Sequence, residues 1–223
     1  MGILYLVRHG QASFGEADYD RLSPLGHRQC VKLGEYFRAK GISSFDAVFI
    51  GTLKRHAQSL AGIAEGQQWR PEPQVHPGLD EYDSGAIIAA IHPEPLTKPT
   101  TPELRHAHFR LLRSGIEQWM AGATQPRGLG THAEFVAGVV ATLDQVRSQA
   151  GGRVLIVSSG GPISTAVGHV LRMEMPATIE LNLHIRNSAV TEFTFNPKRH
   201  TLLTFNTLPH LDALDPAQWV TYA

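Results

Sequence analysis

The chain has 223 residues, long enough for one α/β domain or two small ones. Of these residues 42% are hydrophobic and 18% are charged, as in an ordinary globular protein. Its 20 basic and 20 acidic side chains balance, so the overall charge provides no attraction to nucleic acid or to an anionic membrane. The longest apolar runs fall short of the roughly 18 residues of a membrane span, and no signal-peptide pattern precedes the first apolar run. The single cysteine, Cys30, excludes an internal disulfide, and we expect a cytoplasmic protein with neither nucleic-acid nor membrane partners.

Short apolar runs rich in β-forming residues alternate with amphipathic segments along the chain. Three of these runs are predicted strands: residues 3–7, 45–50 and 153–158. A helix is predicted between the first two, with Ser23 as its N-cap, Pro24 at its first position and Gly41 at its end.

Three more helices are predicted downstream. The segment TLKRHAQSLAGIAEG follows the second strand and carries apolar residues at helical spacing: Leu53, Ala57, Leu60, Ala61 and Ala64. Residues 131–149 begin with a capping box, formed by Thr131 and Glu134, and continue with an apolar stripe: Phe135, Val139, Leu143 and Val146. The third strand leads into GGPISTAVGHVLR, which also has a helical pattern.

This alternation predicts a three-layer α/β/α sandwich with a mainly parallel central sheet. Near the carboxyl terminus, SAVTEFTF and HTLLTFNT alternate like antiparallel strands joined by the turn NPKR, and they provide an antiparallel edge. We expect a single domain over residues 1–223. The proline-rich segment HPEPLTKPTTPEL and the helical pattern after it break the alternation, and they predict a helical cap or lid inserted around residues 86–130.

Polar and cationic residues gather where the predicted strands end. Ligands of open α/β sheets bind at the carboxyl ends of the strands, near helix N-termini. The residues expected at this edge are Arg8, His9, Gly10, Gly51, Thr52, Lys54, Arg55, Ser158, Ser159, Gly160 and Gly161, with Asp80, Glu81 and Asp83 from the loop LDEYDSG. Two arginines, a histidine, hydroxyl groups and backbone N–H groups together suit a phosphate, because guanidinium groups bind its oxygens in pairs.

The stretch LYLVRHG, residues 4–10, resembles the signature of the histidine phosphatase superfamily, which has the phosphoglycerate-mutase-like fold. Further segments resemble the family's other motifs in the same order: DRLSPLGHRQCVKLGEYF, FDAVFIGTLKRHAQSLAGI, LDEYDSG, VLIVSSGGPI and RNSAV. An Arg-His-Gly tripeptide alone is a weak signal, whereas the ordered set is strong.

The resemblance implies a role for each residue at the strand ends. His9 is the nucleophile that forms a phosphohistidine, and Glu81 is the general acid and base. Arg8 and Arg55 lower the pKa of His9 and neutralise the phosphoryl oxygens. The implied phosphate-binding residues are Arg8, His9, Ser13, Arg55, Ser159 and Gly160. No metal or other cofactor is implied, and the partner is a phosphorylated small molecule or a phosphopeptide.

The sequence departs from the family pattern in three places. Ser159 stands where the family has its second histidine. The nucleophile, the acid and both arginines remain, and the Ser159 hydroxyl is itself a donor, so the change implies a weakened or re-tuned phosphatase rather than an inactive one. Gly15 replaces an asparagine that contacts phosphate, and residues 85–88 replace a Gly-x-Trp-x-Gly-type segment after the loop of the acid. The last two changes disfavour a phosphoglycerate mutase.

The leading hypothesis is therefore a metal-independent phosphomonoesterase, with a homodimer left open. The alternative is a non-catalytic or strongly impaired module that binds phosphorylated ligands. A serine hydrolase acting through Ser159 is disfavoured, because Val157 stands where a nucleophile elbow needs glycine and no histidine–acid pair is spaced to serve the serine.

Overall fold

The computed structural model describes residues 1–13, 18–94, 96, 101–149 and 151–222, and within them it contains one sheet of six strands. The strands are β1 (Gly2–Arg8), β2 (Ala47–Ile50), β3 (Gln74–Val75), β4 (Arg153–Ser158), β5 (Val190–Asn196) and β6 (Arg199–Thr207). Their order across the sheet is β3-β2-β4-β1-β5-β6. The first four of that order pair in parallel, whereas β5 and β6 are antiparallel to their neighbours. The predicted α/β architecture, its three main strands and its antiparallel edge are confirmed.

Helices cover both faces of this sheet. They are α1 (Pro24–Ala39), α2 (Lys54–Gln67), α3 (Ser84–Ala89), α4 (Pro102–Met120), α5 (His132–Gln149), α6 (Gly160–Leu171), α7 (Met175–His184) and α8 (Pro216–Trp219), with a short 3-10 helix at Pro77–Leu79. Strand β3, the 3-10 helix and helices α3, α7 and α8 were not predicted from the sequence. No helix in the described part of the chain combines the length and the apolar character needed to cross a membrane.

Strand β1 is the centre of the core because its side chains alternate between the two faces. Leu4 and Leu6 pack in a buried cluster with side chains of α5 and α6, and Tyr5 and Val7 pack with side chains of α1 and α2. In the stripe of α5, Val139, Leu143 and Val146 are buried and Phe135 is partly buried. The Thr131–Glu134 capping box is present, with reciprocal backbone bonds of 2.7 and 3.2 Å.

Helices α1 and α2 pack closely through glycines. The Ser23 hydroxyl caps α1 by accepting the Gly26 N–H at 3.0 Å, as predicted. A Cβ at Gly34 would overlap the Ile63 carbonyl oxygen, and a Cβ at Gly66 would overlap the Val31 carbonyl oxygen. This crossing sets the rotation of α2, so its inner face differs from the apolar stripe of the sequence. The exposed positions in that stripe are Ala57 and Ala61, whereas Arg55, His56 and Ser59 are buried.

Helices α3 and α4 form a separate hydrophobic cluster with α7. Its buried members are Ile87, Ile88, Leu112, Ile116, Trp119 and Ile179. This is the segment where the sequence predicts a cap, and residues 95 and 97–100 of that segment lie outside the described residues. The cluster is built by helix-to-helix packing rather than by packing on the sheet.

We expect Gly66→Ala to destabilise the fold by about 1–3 kcal/mol, because the added methyl must displace the backbone of α1. The matched control is Gly151→Ala, where nothing lies within 4 Å of the added carbon. Equilibrium unfolding in urea measures both changes, and equal stability of the two variants would show that the close helix crossing is not a constraint.

Candidate active site

The carboxyl ends of three parallel strands meet at one edge of the sheet. Arg8 at the end of β1 is paired with Ser158 at the end of β4, and Ile50 at the end of β2 is paired with Val157. The His9 N–H donates to the Ser158 carbonyl at 2.9 Å. The sheet therefore places the segments that follow these strands side by side, as predicted.

His9 is held in one tautomer. Its Nδ1 lies 2.7 Å from the Gly10 carbonyl oxygen, which can only accept, so Nδ1 carries the proton and Nε2 of the neutral ring has a free lone pair. The side chain is only 3% exposed. Burial, and then the positive charges of Arg8 and Arg55, lower the pKa of His9 well below its usual 6.5. The ring is therefore neutral at physiological pH, with Nε2 ready to act as a nucleophile.

Arg55 is a buried cation that is only partly neutralised. Its Nη1 donates to Asp20 Oδ1 at 2.9 Å, and its guanidinium carbon lies 5.6 Å from the centre of the Tyr19 ring. Its buried Nε has no hydrogen-bond partner among the described residues. An unpaired buried N–H is costly, so this donor favours an additional acceptor.

Arg8 shows the same incomplete pairing. Its Nη1 donates to the carbonyl oxygens of Ile185 and of Tyr222, the latter at 2.7 Å, and these carbonyls hold its side chain in place. Its Nε is also buried without a partner among the described residues. Two guanidinium groups beside His9 thus each keep one unsatisfied buried donor, an arrangement that suits an oxyanion.

Glu81 reaches the same edge through the loop that follows the 3-10 helix. Ser158 Oγ donates to the Leu79 carbonyl at 2.6 Å, and the Glu81 carboxylate accepts the Gly161 N–H at 3.1 and 3.2 Å at the start of α6. A Cβ at Gly161 would overlap this carboxylate, so a larger residue there would have to displace the Glu81 side chain. Burial raises the pKa of Glu81, against the opposing effects of the Gly161 N–H, Arg55 and Arg8, and this favours a protonated acid.

Asp80, Asp83 and Lys54, which were also expected at this edge, have structural partners. Asp83 caps α3 by accepting the Ala86 N–H at 3.0 Å. Asp80 accepts the Thr52 N–H at 2.6 Å and ties the acidic loop to the end of β2. Lys54 is exposed and pairs with Asp18 at 2.9 Å.

Ser13 and Gly160 follow the strands that end at this edge. The Ser13 side chain has no observed role in the site, and neither has the backbone N–H of Gly160. Ser13 is half-buried, and its N–H donates to the Arg21 carbonyl at 2.8 Å. Gly160 begins α6, and the next N–H, that of Gly161, is the one bound by Glu81. Gly15 lies outside the described residues. Phosphate binding by Ser13 and Gly160 stays a prediction.

His56 also lies at this edge, and it was not among the site residues predicted from the sequence. The fully buried His56 ring lies with Nε2 2.7 Å from Ser159 Oγ, and its ring centre is 6.0 Å from that of His9. Burial, and then Arg55, lower the pKa of His56 to about 3. The usable signal was its position: a helix that begins at Lys54 places residues 55 and 56 in its first turn at the strand edge.

Among the residues that the structure describes, no three His, Cys, Asp or Glu side chains form a cluster that could hold a metal ion. The arrangement as a whole places two incompletely paired guanidinium groups near a neutral imidazole, which suits an anion.

Comparison with known proteins agrees with this geometry. Residues 4–208 match the histidine phosphatase superfamily (branch 1). The chain belongs to this family. A broad-specificity phosphatase of Saccharomyces cerevisiae is 34% identical to it over 92 residues, and that match covers 38% of this chain and 39% of the yeast protein.

Solved structures of the histidine phosphatase fold are similar over nearly the whole chain. Phosphoserine phosphatase of Entamoeba histolytica, in complex with 3-phosphoglyceric acid, superposes with a TM-score of 0.67 at 22% identity, covering 95% of this chain and 100% of that one. A mycobacterial glucosyl-3-phosphoglycerate phosphatase gives 0.64 at 19% identity, with coverages of 93% and 99%. Phosphoglycerate mutase of Bacillus anthracis gives 0.63 at 15% identity, with coverages of 94% and 95%. At these identities the likeness shows the fold.

We expect inorganic phosphate to stabilise the protein against heat, because only the folded site offers the two unpaired guanidinium donors. A ligand at 100 times its dissociation constant adds about 2.7 kcal/mol to the stability. Arg55→Ala should remove most of this gain in a thermal shift titration, whereas Lys54→Ala, which removes an exposed cation one residue away, should leave it intact. A phosphate effect of the same size in both variants would contradict the assignment of the anion site.

Proposed function

We propose that the protein is a metal-independent phosphomonoesterase that works through a phosphohistidine on His9. The observation that carries this proposal is the neutral, buried His9 ring, which has a free Nε2 lone pair and two incompletely paired arginines near it. A nucleophile without positive charge, next to groups that bind the negative oxygens of a phosphate ester, meets both requirements of phosphoryl transfer.

In the first step, the Nε2 lone pair attacks phosphorus, and the bond between phosphorus and the ester oxygen breaks. Glu81 gives its proton to the departing oxygen, so the alcohol leaves neutral. Arg8 and Arg55 neutralise the phosphoryl oxygens during the transfer. We place Ser13, Ser159 and Gly160 among the groups that bind these oxygens.

In the second step, the Glu81 carboxylate takes a proton from water while the water oxygen attacks the phosphorus of phosphohistidine. The bond between Nε2 and phosphorus breaks, its electron pair returns to the ring, and phosphate leaves. The hydrogen bond from Nδ1 to Gly10 keeps the ring in the same tautomer throughout, so His9 is ready for another cycle.

We assign the substrate to phosphate monoesters, either small phosphorylated molecules or phosphopeptides. Three of the similar proteins are named as phosphatases, among them one for phosphoserine and one for a phosphorylated sugar acid. We propose that residues 86–130 form a cap on a single domain and select among such esters. The absence of the family's asparagine at Gly15 supports a phosphatase over a mutase.

A serine hydrolase has one observation in its favour, namely the hydrogen bond between His56 and Ser159. The third member of such a triad is not in place, because Asp80 Oδ1 lies 3.9 Å from His56 Nδ1, too far for a hydrogen bond, and the Asp80 carboxylate is bound by Thr52. Ser159 also has ordinary extended backbone angles, φ −119° and ψ 175°, rather than a strained elbow.

A non-catalytic binding module is the other alternative. A measurement of turnover distinguishes it from a phosphatase. We expect hydrolysis of an aryl phosphate in the presence of a chelator, and we expect His9→Ala to reduce it to the background rate because the covalent route is lost. His27→Ala is the matched control, since His27 is a surface residue that pairs with Glu65 at 3.2 Å. Binding of phosphate without hydrolysis by the wild-type protein would favour the binding module, and full activity of His9→Ala would remove the proposed mechanism.

The pH profile follows from the opposite pKa shifts of the two reacting groups. The active form has neutral His9 and protonated Glu81. Its acid limb lies below pH 6.5, where His9 gains a proton, and its alkaline limb lies above pH 4.5, where Glu81 loses one. We therefore expect kcat/KM to be highest in mildly acidic solution. Glu81→Gln should lower the rate by about 10²–10⁴-fold and abolish the alkaline limb. A wild-type rate that keeps rising through pH 8 would contradict Glu81 as the acid.

A further inference from the structure

His56 and Ser159 form a buried polar pair that the mechanism above leaves partly unexplained. Both side chains are fully buried, and His56 Nε2 lies 2.7 Å from Ser159 Oγ. Ser159 is the N-cap residue of α6, yet its hydroxyl accepts no N–H of that helix. A serine at an N-cap normally makes that bond. Here the hydroxyl is directed to an imidazole 103 residues away in sequence.

The pair lies close to the nucleophile of the proposed mechanism. The His56 and His9 ring centres are 6.0 Å apart, and the His9 N–H donates to the carbonyl of Ser158, the residue before Ser159. Ser159 also lies in sequence between Ser158, which accepts the His9 N–H, and Gly161, whose N–H is bound by Glu81, so it stands between the nucleophile and the acid of the proposed mechanism. The His56 ring fits there because residue 51 is glycine. The Cβ of any other residue at that position would overlap His56 Nδ1.

The hydrogen-bonding capacity of the two groups indicates the direction of the bond. Neutral His56 has one N–H. Its Nδ1 is buried without a hydrogen-bond partner among the described residues. The carboxylate oxygen near Nδ1, Asp80 Oδ1, lies 3.9 Å away and is beyond hydrogen-bond distance. Because a buried N–H is rarely left unpaired, we assign the proton to Nε2. Nε2–H then donates to Ser159 Oγ, and the hydroxyl proton is left to donate to another acceptor.

We propose that Ser159 Oγ–H donates to a phosphoryl oxygen during transfer to His9, and that His56 is the positioning residue that holds this hydroxyl through Nε2–H. The inference rests on the proposed function and extends it to a second imidazole, supplied by α2. Ser159 is then a catalytic residue. The family resemblance places that imidazole at position 159 itself, whereas in this chain it comes from the neighbouring helix.

A double-mutant cycle tests the coupling. Removal of one transition-state donor costs about 10²–10³-fold in rate, so we expect Ser159→Ala to lower kcat by about that factor and to change KM less. His56→Phe, which keeps a ring but has no donor, should lower kcat comparably. The double variant should be no slower than either single one, because the two residues act as one donor unit. Multiplying effects in the double variant would contradict the unit.

His56→Gln is the conservative variant, since its side-chain amide N–H reaches about as far as Nε2. We expect it to recover most of the kcat that His56→Phe loses. The matched control is His210→Phe, because His210 is another buried histidine whose Nε2 lies 2.9 Å from a serine hydroxyl, that of Ser188. This control should lower the thermal midpoint without changing kcat. The role of His56 would be structural only if His56→Gln lost as much kcat as His56→Phe. The same would hold if the control His210→Phe lost kcat as much as the two His56 variants.

Orthophosphate binding, measured by calorimetry on the same variants, keeps the test independent of turnover. A hydrogen bond to a charged group corresponds to about a 10–100-fold change in affinity. Ser159→Ala and His56→Phe should therefore raise the dissociation constant for orthophosphate by about that factor, whereas His210→Phe should leave it unchanged. Wild-type kcat and wild-type phosphate affinity in folded Ser159→Ala would overturn the inference while leaving the His9 mechanism standing. Absence of turnover in the wild-type protein, together with a loss of phosphate affinity in Ser159→Ala, would overturn the proposed function and leave the donor unit standing.

Discussion

The hydrogen bond from His9 Nδ1 to the Gly10 carbonyl is the interaction on which the site depends. It fixes the tautomer, so the Nε2 lone pair is available near the cations Arg8 and Arg55. The same cations, together with burial, keep the ring neutral by lowering its pKa. A histidine that gained a proton here would be both a useless nucleophile and a third positive charge in a buried space, and burial and the two arginines disfavour that state.

The rest of the fold serves to hold groups against this ring. The parallel pairing of β1 with β4 brings the α6 N-terminus beside His9, and the glycine-mediated crossing of α1 and α2 turns Arg55 and His56 inward. Gly10 is part of the same packing, since a Cβ there would overlap the Gly26 carbonyl oxygen in α1. Helix packing and site geometry are therefore one constraint, because a shift of α2 would move an arginine and an imidazole together.

Local sequence signals predicted the parts of the structure that local physics determines. Apolar runs located the main strands, and Ser23 with Pro24, and Thr131 with Glu134, located helix starts, because capping depends on residues three positions apart. The two-residue strand β3 has too little pattern to be found. The pairing of His56 with Ser159, and of Arg8 with the carbonyls of Ile185 and Tyr222, spans more than 100 residues and depends on how helices rotate when packed. No window of the sequence contains that information.

The central claim is covalent transfer of the phosphoryl group to His9, and rapid quenching of a single turnover tests it most directly. Peptide mass spectrometry after mixing the protein with an aryl phosphate should find a phosphate adduct on the peptide that contains His9. This adduct should be labile to acid. It should also disappear at later quench times, when water has hydrolysed the phosphohistidine. An acid-stable adduct on Ser159, or turnover without any adduct, would contradict the account.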